Sequence, residues 1–83
     1  MEKKWFVYLL RCGDGSLYCG ITDDVSRRLE AHAAGKGAKY TRGRGPLELV
    51  YREECESYSA ALKREAAIKK LKRTEKLALA GIE

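Results

Sequence analysis

Two phenols, a guanidinium, an imidazole and a carboxylate along the chain could do chemistry together if the fold brings them to one place. They belong to Tyr8, Tyr18, Arg28, His32 and Glu65. Phenols and imidazoles exchange protons, guanidinium groups bind phosphate oxygens, and carboxylates bind hard metal ions. Whether these groups form one site depends on the elements that carry them.

The two tyrosines lie in a predicted β-hairpin with a Gly-Asp-Gly turn. Its first strand, Trp5–Leu10, is apolar without alternation, which is typical of a central strand covered on both faces. Both phenols share a face if Tyr8 pairs with Gly20. That register needs a loop with an odd number of residues, such as a three-residue loop with Gly13 or Gly15 in the left-handed conformation. A two-residue loop would put the phenols on opposite faces, and two ordinary core aromatics are the simpler alternative.

A helix is predicted after the hairpin, with Asp23 capping its first free N–H groups and an end near Ala34. Val25 marks its inward stripe. Arg28 and His32 follow Val25 by three and seven residues, so they lie on that stripe and are adjacent to each other. A guanidinium on the buried edge of a helix should have a reason, and the simplest one is a stem that covers apolar surface while the charged head reaches water.

The segment Lys36–Pro46 is basic and rich in glycine, which predicts a loop. Such a segment suits contact with a phosphate backbone and a stacked base, and it equally suits a plain surface loop. The candidate nucleic-acid-binding residues are Lys36, Lys39, Tyr40, Arg42 and Arg44.

The second half of the chain predicts one strand and two helices. The strand Leu47–Glu53 has the partial alternation of an edge strand. A helix Ala60–Lys72 follows, capped by Ser57 or Ser59, and a short helix Thr74–Ala80 ends the pattern. The order β-β-α-β-α-α predicts one α+β domain over residues 1–83, with a three-stranded, mostly antiparallel sheet flanked by helices.

Glu65 lies on the inward stripe of the longer helix, between Ala61 and Ile68, and Leu71 continues that stripe. Carboxylates are rarely buried without a partner or a metal ion. Glu65 therefore either forms a salt bridge with a nearby arginine or binds a metal.

Composition limits the classes of protein. A net charge of +5 on 83 residues suggests a polyanionic partner, most simply nucleic acid. Three cysteines and one histidine predict reduced thiols and no closed zinc site. No apolar run has the length of a membrane span and no signal-peptide pattern opens the chain, so we expect a cytoplasmic protein without membrane contact. No feature indicates an obligate protein partner.

This arrangement resembles the GIY-YIG nuclease domain over nearly the whole chain. Phe6-Val7-Tyr8 and Tyr18-Cys19-Gly20 match the two halves of its motif, with Phe6 in place of the glycine and Cys19 in place of the isoleucine of the motif's name. Arg28, His32 and Glu65 follow in the family's order. The segments GKGAKYTRGR at residues 35–44 and REAAIKKL at residues 64–71 are similar to small stand-alone bacterial members of the YhbQ type.

The resemblance implies hydrolysis of phosphodiester bonds in DNA or RNA, assisted by one Mg²⁺ or Mn²⁺ ion. Glu65 is expected to hold the metal and Arg28 to stabilise the phosphoryl transition state. Tyr8 is expected to take a proton from water or to position it, with Tyr18 and His32 helping. Which of these three is the base stays open. Arg28, Tyr18 and the metal are expected to favour the Tyr8 phenolate.

The DNA-repair members, such as the N-terminal domain of UvrC, carry an asparagine after the glutamate, whereas Lys76-Leu77-Ala78 has no amide. We therefore keep two hypotheses. The first is an active nuclease with low sequence selectivity, whose five site residues converge in one cationic hollow. The second is a nucleic-acid-binding module with little or no cleavage. A basic scaffold without a nucleic-acid role is a third interpretation, which the resemblance disfavours.

Overall fold

The computed structural model describes residues 4–81, in which an antiparallel three-stranded sheet has helices on both faces. The elements are β1 (Trp5–Arg11), β2 (Leu17–Thr22), α1 (Val25–Ala33), β3 (Glu48–Cys55), α2 (Tyr58–Lys69) and α3 (Arg73–Leu79). The α+β class and the order β-β-α-β-α-α are as predicted, and both strand pairings are antiparallel. None of the helices in this part of the chain is long and apolar enough to cross a membrane.

β1 is the central strand, because the sheet order is β2-β1-β3. Its residues from Val7 to Leu10 are almost completely buried, which explains the unbroken apolar run. The hairpin loop has three residues, and Cys12 closes it by donating its N–H to the Ser16 carbonyl at 2.8 Å. Gly15 takes the left-handed conformation, with φ of +85°. The odd loop that the shared face of the tyrosines requires is thus present.

β3 is an edge strand, as predicted, and it begins and ends later than the predicted Leu47–Glu53. Leu9 pairs with Tyr51 and Leu10 with Leu49, so Val50 is an extra residue in the pairing. Such a β-bulge shifts the alternation of the strand by one position. This is why the sequence of β3 alternates only in part.

The start of α1 differs from the prediction by one residue. The side chain of Asp24, not of Asp23, accepts a hydrogen bond from the Arg27 N–H, at 3.1 Å. The N–H of Asp24 in turn donates to Thr22 Oγ1 at 3.1 Å, which fixes Asp24 at the position that caps the helix.

α2 begins after Ser57, whose hydroxyl accepts the Ala60 N–H at 3.0 Å, so Ser57 and not Ser59 is the cap. α2 ends at Lys69 and not at Lys72. The N–H of Lys72 donates to the Glu75 carboxylate at 2.9 Å, which starts α3 at that point.

The main core lies between α2 and one face of the sheet. Ala61 and Ile68 pack against Val7, Leu9 and Cys19, and all of them are buried. Leu71 lies beyond the end of α2 and is only half-buried, so the predicted inward stripe stops at Ile68. The opposite face of the sheet carries Tyr8 and is covered by α1.

Replacing Ile68 with Ala should lower the free energy of unfolding by about 2–5 kcal/mol, because a fully buried side chain leaves a cavity. The matched control is Leu62→Ala in the same helix, where the side chain is 41% exposed. Urea unfolding followed by circular dichroism measures both. Equal losses in the two variants would contradict the packing of α2 described above.

Candidate active site

The register of the hairpin brings Tyr8 and Tyr18 to the same face of the sheet. Tyr8 pairs with Gly20 and Leu10 with Tyr18, so the two tyrosines are diagonal neighbours, and their ring centroids are 6.3 Å apart. Tyr8 is 1% exposed and Tyr18 is half-buried. Of the two registers that the sequence left open, the structure therefore has the one that puts both phenols on one face.

Gly20 makes room for the Tyr8 hydroxyl. A Cβ atom at this position would lie 2.6 Å from the Tyr8 hydroxyl oxygen and 3.0 Å from a ring carbon of Tyr18. These distances are shorter than van der Waals contact, so any side chain at position 20 would displace the phenol. The close approach of the Tyr8 hydroxyl, and not an unusual φ, requires glycine here.

α1 presents His32 to the Tyr8 hydroxyl. The Nε2 atom of His32 lies 2.9 Å from that hydroxyl, and the imidazole is 2% exposed. The ring centroid of His32 is 5.4 Å from that of Tyr18. The backbone of Gly37 closes the other side of the ring, because a Cβ there would lie 2.2 Å from His32 Nδ1.

Arg28 adds a positive charge beside the same hydroxyl. Burial raises the pKa of Tyr8 to about 12, and a hydrogen bond from Arg28 only partly opposes this effect. The neighbouring Tyr18 raises the pKa further, so the expectation that Arg28 and Tyr18 hold Tyr8 as a phenolate is wrong for the protein alone. Tyr8 is a neutral phenol at pH 7. A polar cleft of about 340 Å³ opens along Arg28 at the start of α1.

Glu65 is not part of this cluster. It lies on α2, on the opposite face of the sheet, half-buried and 3.5 Å from the ammonium of Lys69. Burial raises the pKa of the Cys19 thiol to about 11, and the Glu65 carboxylate is the next cause. The Glu65 carboxylate is thus close enough to Cys19 of the edge strand β2 to act on its thiol electrostatically.

The structure therefore brings together four of the five predicted site residues, Tyr8, Tyr18, Arg28 and His32. Among residues 4–81, the ion pair of Glu65 is with a lysine and not with the arginine that the simpler interpretation named. These residues also contain no group of three or more His, Cys, Asp or Glu side chains that would enclose a metal ion. A metal at Glu65 would keep most of its water or take oxygens from a ligand, as Mg²⁺ commonly does.

The basic loop packs against the site. Tyr40 stacks on Tyr18 with 5.8 Å between ring centroids, and the Arg44 guanidinium lies 4.5 Å from the centre of the Tyr40 ring. Arg44 also forms an ion pair with Asp14 in the hairpin loop, and its carbonyl accepts the Gly13 N–H at 2.6 Å. Tyr40 and Arg44 are thus engaged within the protein.

The other predicted nucleic-acid-binding residues of the loop have exposed side chains. These are Lys36, Lys39 and Arg42. They place three positive charges on the loop that covers His32.

Sequence reasoning missed Thr41, which is 3% exposed and touches His32 Nδ1 at 2.8 Å. A single threonine in a glycine-rich basic loop has no local pattern that distinguishes it. Only the folding of the loop over α1 brings it to a residue nine positions earlier in the chain.

The four clustered residues lie within the part of the chain that matches a known family model. The GIY-YIG catalytic domain matches residues 4–78. The chain belongs to the GIY-YIG family. A UPF0213 protein of Streptococcus sanguinis is 58% identical over 78 residues, covering 94% of this chain and 90% of that protein. The UPF0213 protein NP_0776A of Natronomonas pharaonis is 53% identical over all 83 residues and 98% of its own length.

Solved structures of similar proteins have the same fold as this GIY-YIG domain. The solution structure of the UPF0213 protein BH0048 from Bacillus halodurans is 49% identical, covers 94% of this chain and 83% of that one, and has a TM-score of 0.60. The solution structure of EF2693 from E. faecalis is 41% identical, covers 96% and 86%, and has a TM-score of 0.64. The resemblance to small stand-alone bacterial members of the family is thus confirmed.

The burial of His32 predicts a pH-dependent stability. Burial, and then the charge of Arg28, lower its pKa below the ordinary value of 6.5. The unfolded chain takes up a proton near that value while the folded chain resists it. The contribution of His32 to stability is therefore complete above pH 6.5 and is lost as the pH falls, by up to about 1.4 kcal/mol per pH unit.

We expect wild type to lose more stability than His32→Gln between about pH 8 and pH 5.5, because glutamine does not titrate. The measurement is urea unfolding of both proteins at each pH. Carboxylates titrate in both proteins, so their contribution to the pH dependence of stability cancels in the comparison. An equal or greater loss in His32→Gln would contradict a buried neutral imidazole.

Proposed function

We propose that the protein is a metal-dependent nuclease that hydrolyses phosphodiester bonds of DNA or RNA with low sequence selectivity. The observation that carries the proposal is the Tyr8 hydroxyl, which interacts with the Arg28 guanidinium and lies 2.9 Å from His32 Nε2. A phenol with a proton acceptor on one side and a phosphate-binding group on the other suits attack by water on phosphorus.

Tyr8 would act as a proton carrier and not as a preformed phenolate. Because its pKa is about 12, its proton has to leave as it accepts another. The water oxygen bonds to phosphorus and its proton passes to the Tyr8 oxygen, while the Tyr8 proton passes to His32 Nε2. The bond from phosphorus to the leaving sugar oxygen breaks, and the electron pair stays on that oxygen.

Arg28 would bind the scissile phosphate. Its planar guanidinium donates two parallel hydrogen bonds to phosphate oxygens and neutralises the charge that develops on them. Tyr18, whose ring packs against those of both Tyr8 and His32, would help to position the attacking water.

Glu65 would hold one Mg²⁺ or Mn²⁺ ion, which supplies stabilisation of the negative charge on the leaving oxygen. A single half-buried carboxylate suits a hard ion that keeps its water ligands. β2 is an edge strand, so a substrate bound along its outer edge can contact Arg28 from one face and Glu65 from the other.

The second candidate function is a nucleic-acid-binding module with little or no cleavage. Two observations favour it. Glu65 pairs with Lys69 on the face of the sheet opposite Arg28, and Lys76-Leu77-Ala78 offers no amide to support a metal site.

Cleavage of labelled single- and double-stranded DNA with Mg²⁺ or Mn²⁺ tests the first proposal. Arg28→Ala and Glu65→Gln should each lower the rate by about 10²-fold or more, because each removes a group that stabilises transition-state charge. Lys63→Ala and Glu56→Gln are the matched controls, since they make the same charge changes at exposed positions and should leave the rate unchanged.

Equal rates in the wild type and both site variants would exclude cleavage by this site. Binding without cleavage by the wild type would establish the binding module instead. The assignment of the metal to Glu65 is tested separately, by the binding of Mn²⁺. Glu65→Gln should weaken the binding of Mn²⁺ to the protein without nucleic acid, followed by electron paramagnetic resonance, whereas Glu56→Gln should not.

Binding of nucleic acid should weaken steeply with salt, since the loop contacts would be electrostatic. Lys39→Ala or Arg42→Ala should lower the affinity for all sequences alike and reduce the slope of log K against log salt by about 1. The measurement is fluorescence anisotropy of a labelled oligonucleotide from low to high salt, with Lys63→Ala as control. A slope near zero in wild type would contradict a phosphate-binding loop.

A further inference from the structure

Thr41 contacts the second ring nitrogen of His32, the residue on which the proposed proton transfer depends. Thr41 Oγ1 lies 2.8 Å from His32 Nδ1 and 2.9 Å from the carbonyl oxygen of Ala38, and the side chain is 3% exposed. The mechanism described above uses only Nε2 of His32. The contact at Nδ1 therefore needs its own explanation.

The hydrogen bonds of Thr41 favour one nitrogen of His32 as the one that carries the proton. A hydroxyl has one hydrogen, and the Ala38 carbonyl can only accept, so the Thr41 hydrogen points to Ala38. Thr41 Oγ1 then accepts a hydrogen bond from Nδ1–H of His32. With the proton on Nδ1, the lone pair of neutral His32 is on Nε2 and faces the Tyr8 hydroxyl at 2.9 Å.

The other tautomer would keep the long contact from the Ala38 N–H, which the proposed tautomer loses, and would give up the shorter bond from Thr41 to the Ala38 carbonyl. It would have Nδ1 accept from the Thr41 hydroxyl and from the Ala38 N–H, which lies 3.4 Å away at the long limit of a hydrogen bond. The Ala38 carbonyl would then lose its 2.9 Å bond from Thr41. Nε2–H would point at Tyr8, and His32 would be unable to accept the Tyr8 proton.

We propose that Thr41 is a positioning residue that holds His32 in the tautomer with the proton on Nδ1, so that Nε2 accepts the proton of Tyr8. The kinetic part of this inference rests on the proposed nuclease function, whereas the tautomer does not. The backbone of Gly37 supports the arrangement by packing on the imidazole. The basic loop thus serves the chemistry as well as the binding of nucleic acid.

The loop carries both roles within one short 3₁₀ helix, Lys39–Thr41. Lys39 faces solvent, Tyr40 stacks on Tyr18, and Thr41 contacts His32. A nucleic acid held by Lys39 therefore contacts the same turn that orients His32.

His32 is the only histidine of the chain, which allows a direct test. Nitrogen-15 NMR of the untagged protein labelled at histidine should give an Nδ1 shift typical of a protonated nitrogen and an Nε2 shift typical of a bare one, at a pH where His32 is neutral. Thr41→Val, which keeps the shape and removes the hydroxyl, should move both shifts toward the other tautomer. Thr41→Ser should retain the wild-type shifts.

A wild-type spectrum that shows the proton on Nε2 would overturn the proposal. This result does not depend on whether any variant folds. Unchanged shifts in a folded Thr41→Val protein would also overturn it. Thr74→Val, at an exposed threonine of α3, is the matched control and should leave the shifts unchanged.

Kinetics distinguish a positioning role from a general loss of stability. Thr41→Val should lower kcat by about 10²-fold and leave KM for the oligonucleotide within about threefold, with Thr41→Ser restoring kcat. Full activity of Thr41→Val would contradict the proposal. A wild type that does not cleave would instead defeat the nuclease proposal, while the NMR result would still decide the tautomer.

Discussion

The pairing of Tyr8 with Gly20 is the constraint on which the site depends. It places two phenols on one face of the sheet, and the missing side chain at Gly20 leaves room for the Tyr8 hydroxyl. A slip of one residue would move one phenol to the opposite face, into the core under α2. The three-residue hairpin loop fixes this register, so a local turn determines the geometry of a site built from distant segments.

Burial determines the electrostatics of that site. Tyr8 and His32 are both nearly inaccessible to water, and burial favours the neutral form of each, raising the pKa of Tyr8 and lowering that of His32. Arg28 lowers both pKa values, because a positive charge favours the phenolate and disfavours the imidazolium. In the protein alone, Tyr8 and His32 therefore form a neutral hydrogen-bonded pair. Such a pair suits the proposed coupled transfer of protons better than a preformed phenolate.

The edge strand β2 separates the predicted metal ligand from the other site residues. Tyr8, Arg28 and His32 lie on one face, and Glu65 approaches from the other near Cys19. An edge strand has no neighbour on its outer side, so groups from both faces can reach a ligand that lies along it. Glu65 forms its ion pair with Lys69, one turn later on the same helix.

The sequence by itself determined the α+β class, the order of elements and the central position of β1, and it offered the shared face of the tyrosines as one of two possible registers. These follow from local patterns: an unbroken apolar run, a glycine turn and helical spacing. It did not determine the pKa of Tyr8, the position of Glu65 or the contact of Thr41 with His32. The first depends on burial, the second on which face of the sheet α2 covers, and the third on a loop that folds back over α1. Each is a contact between segments distant in the chain, and local patterns do not record such contacts.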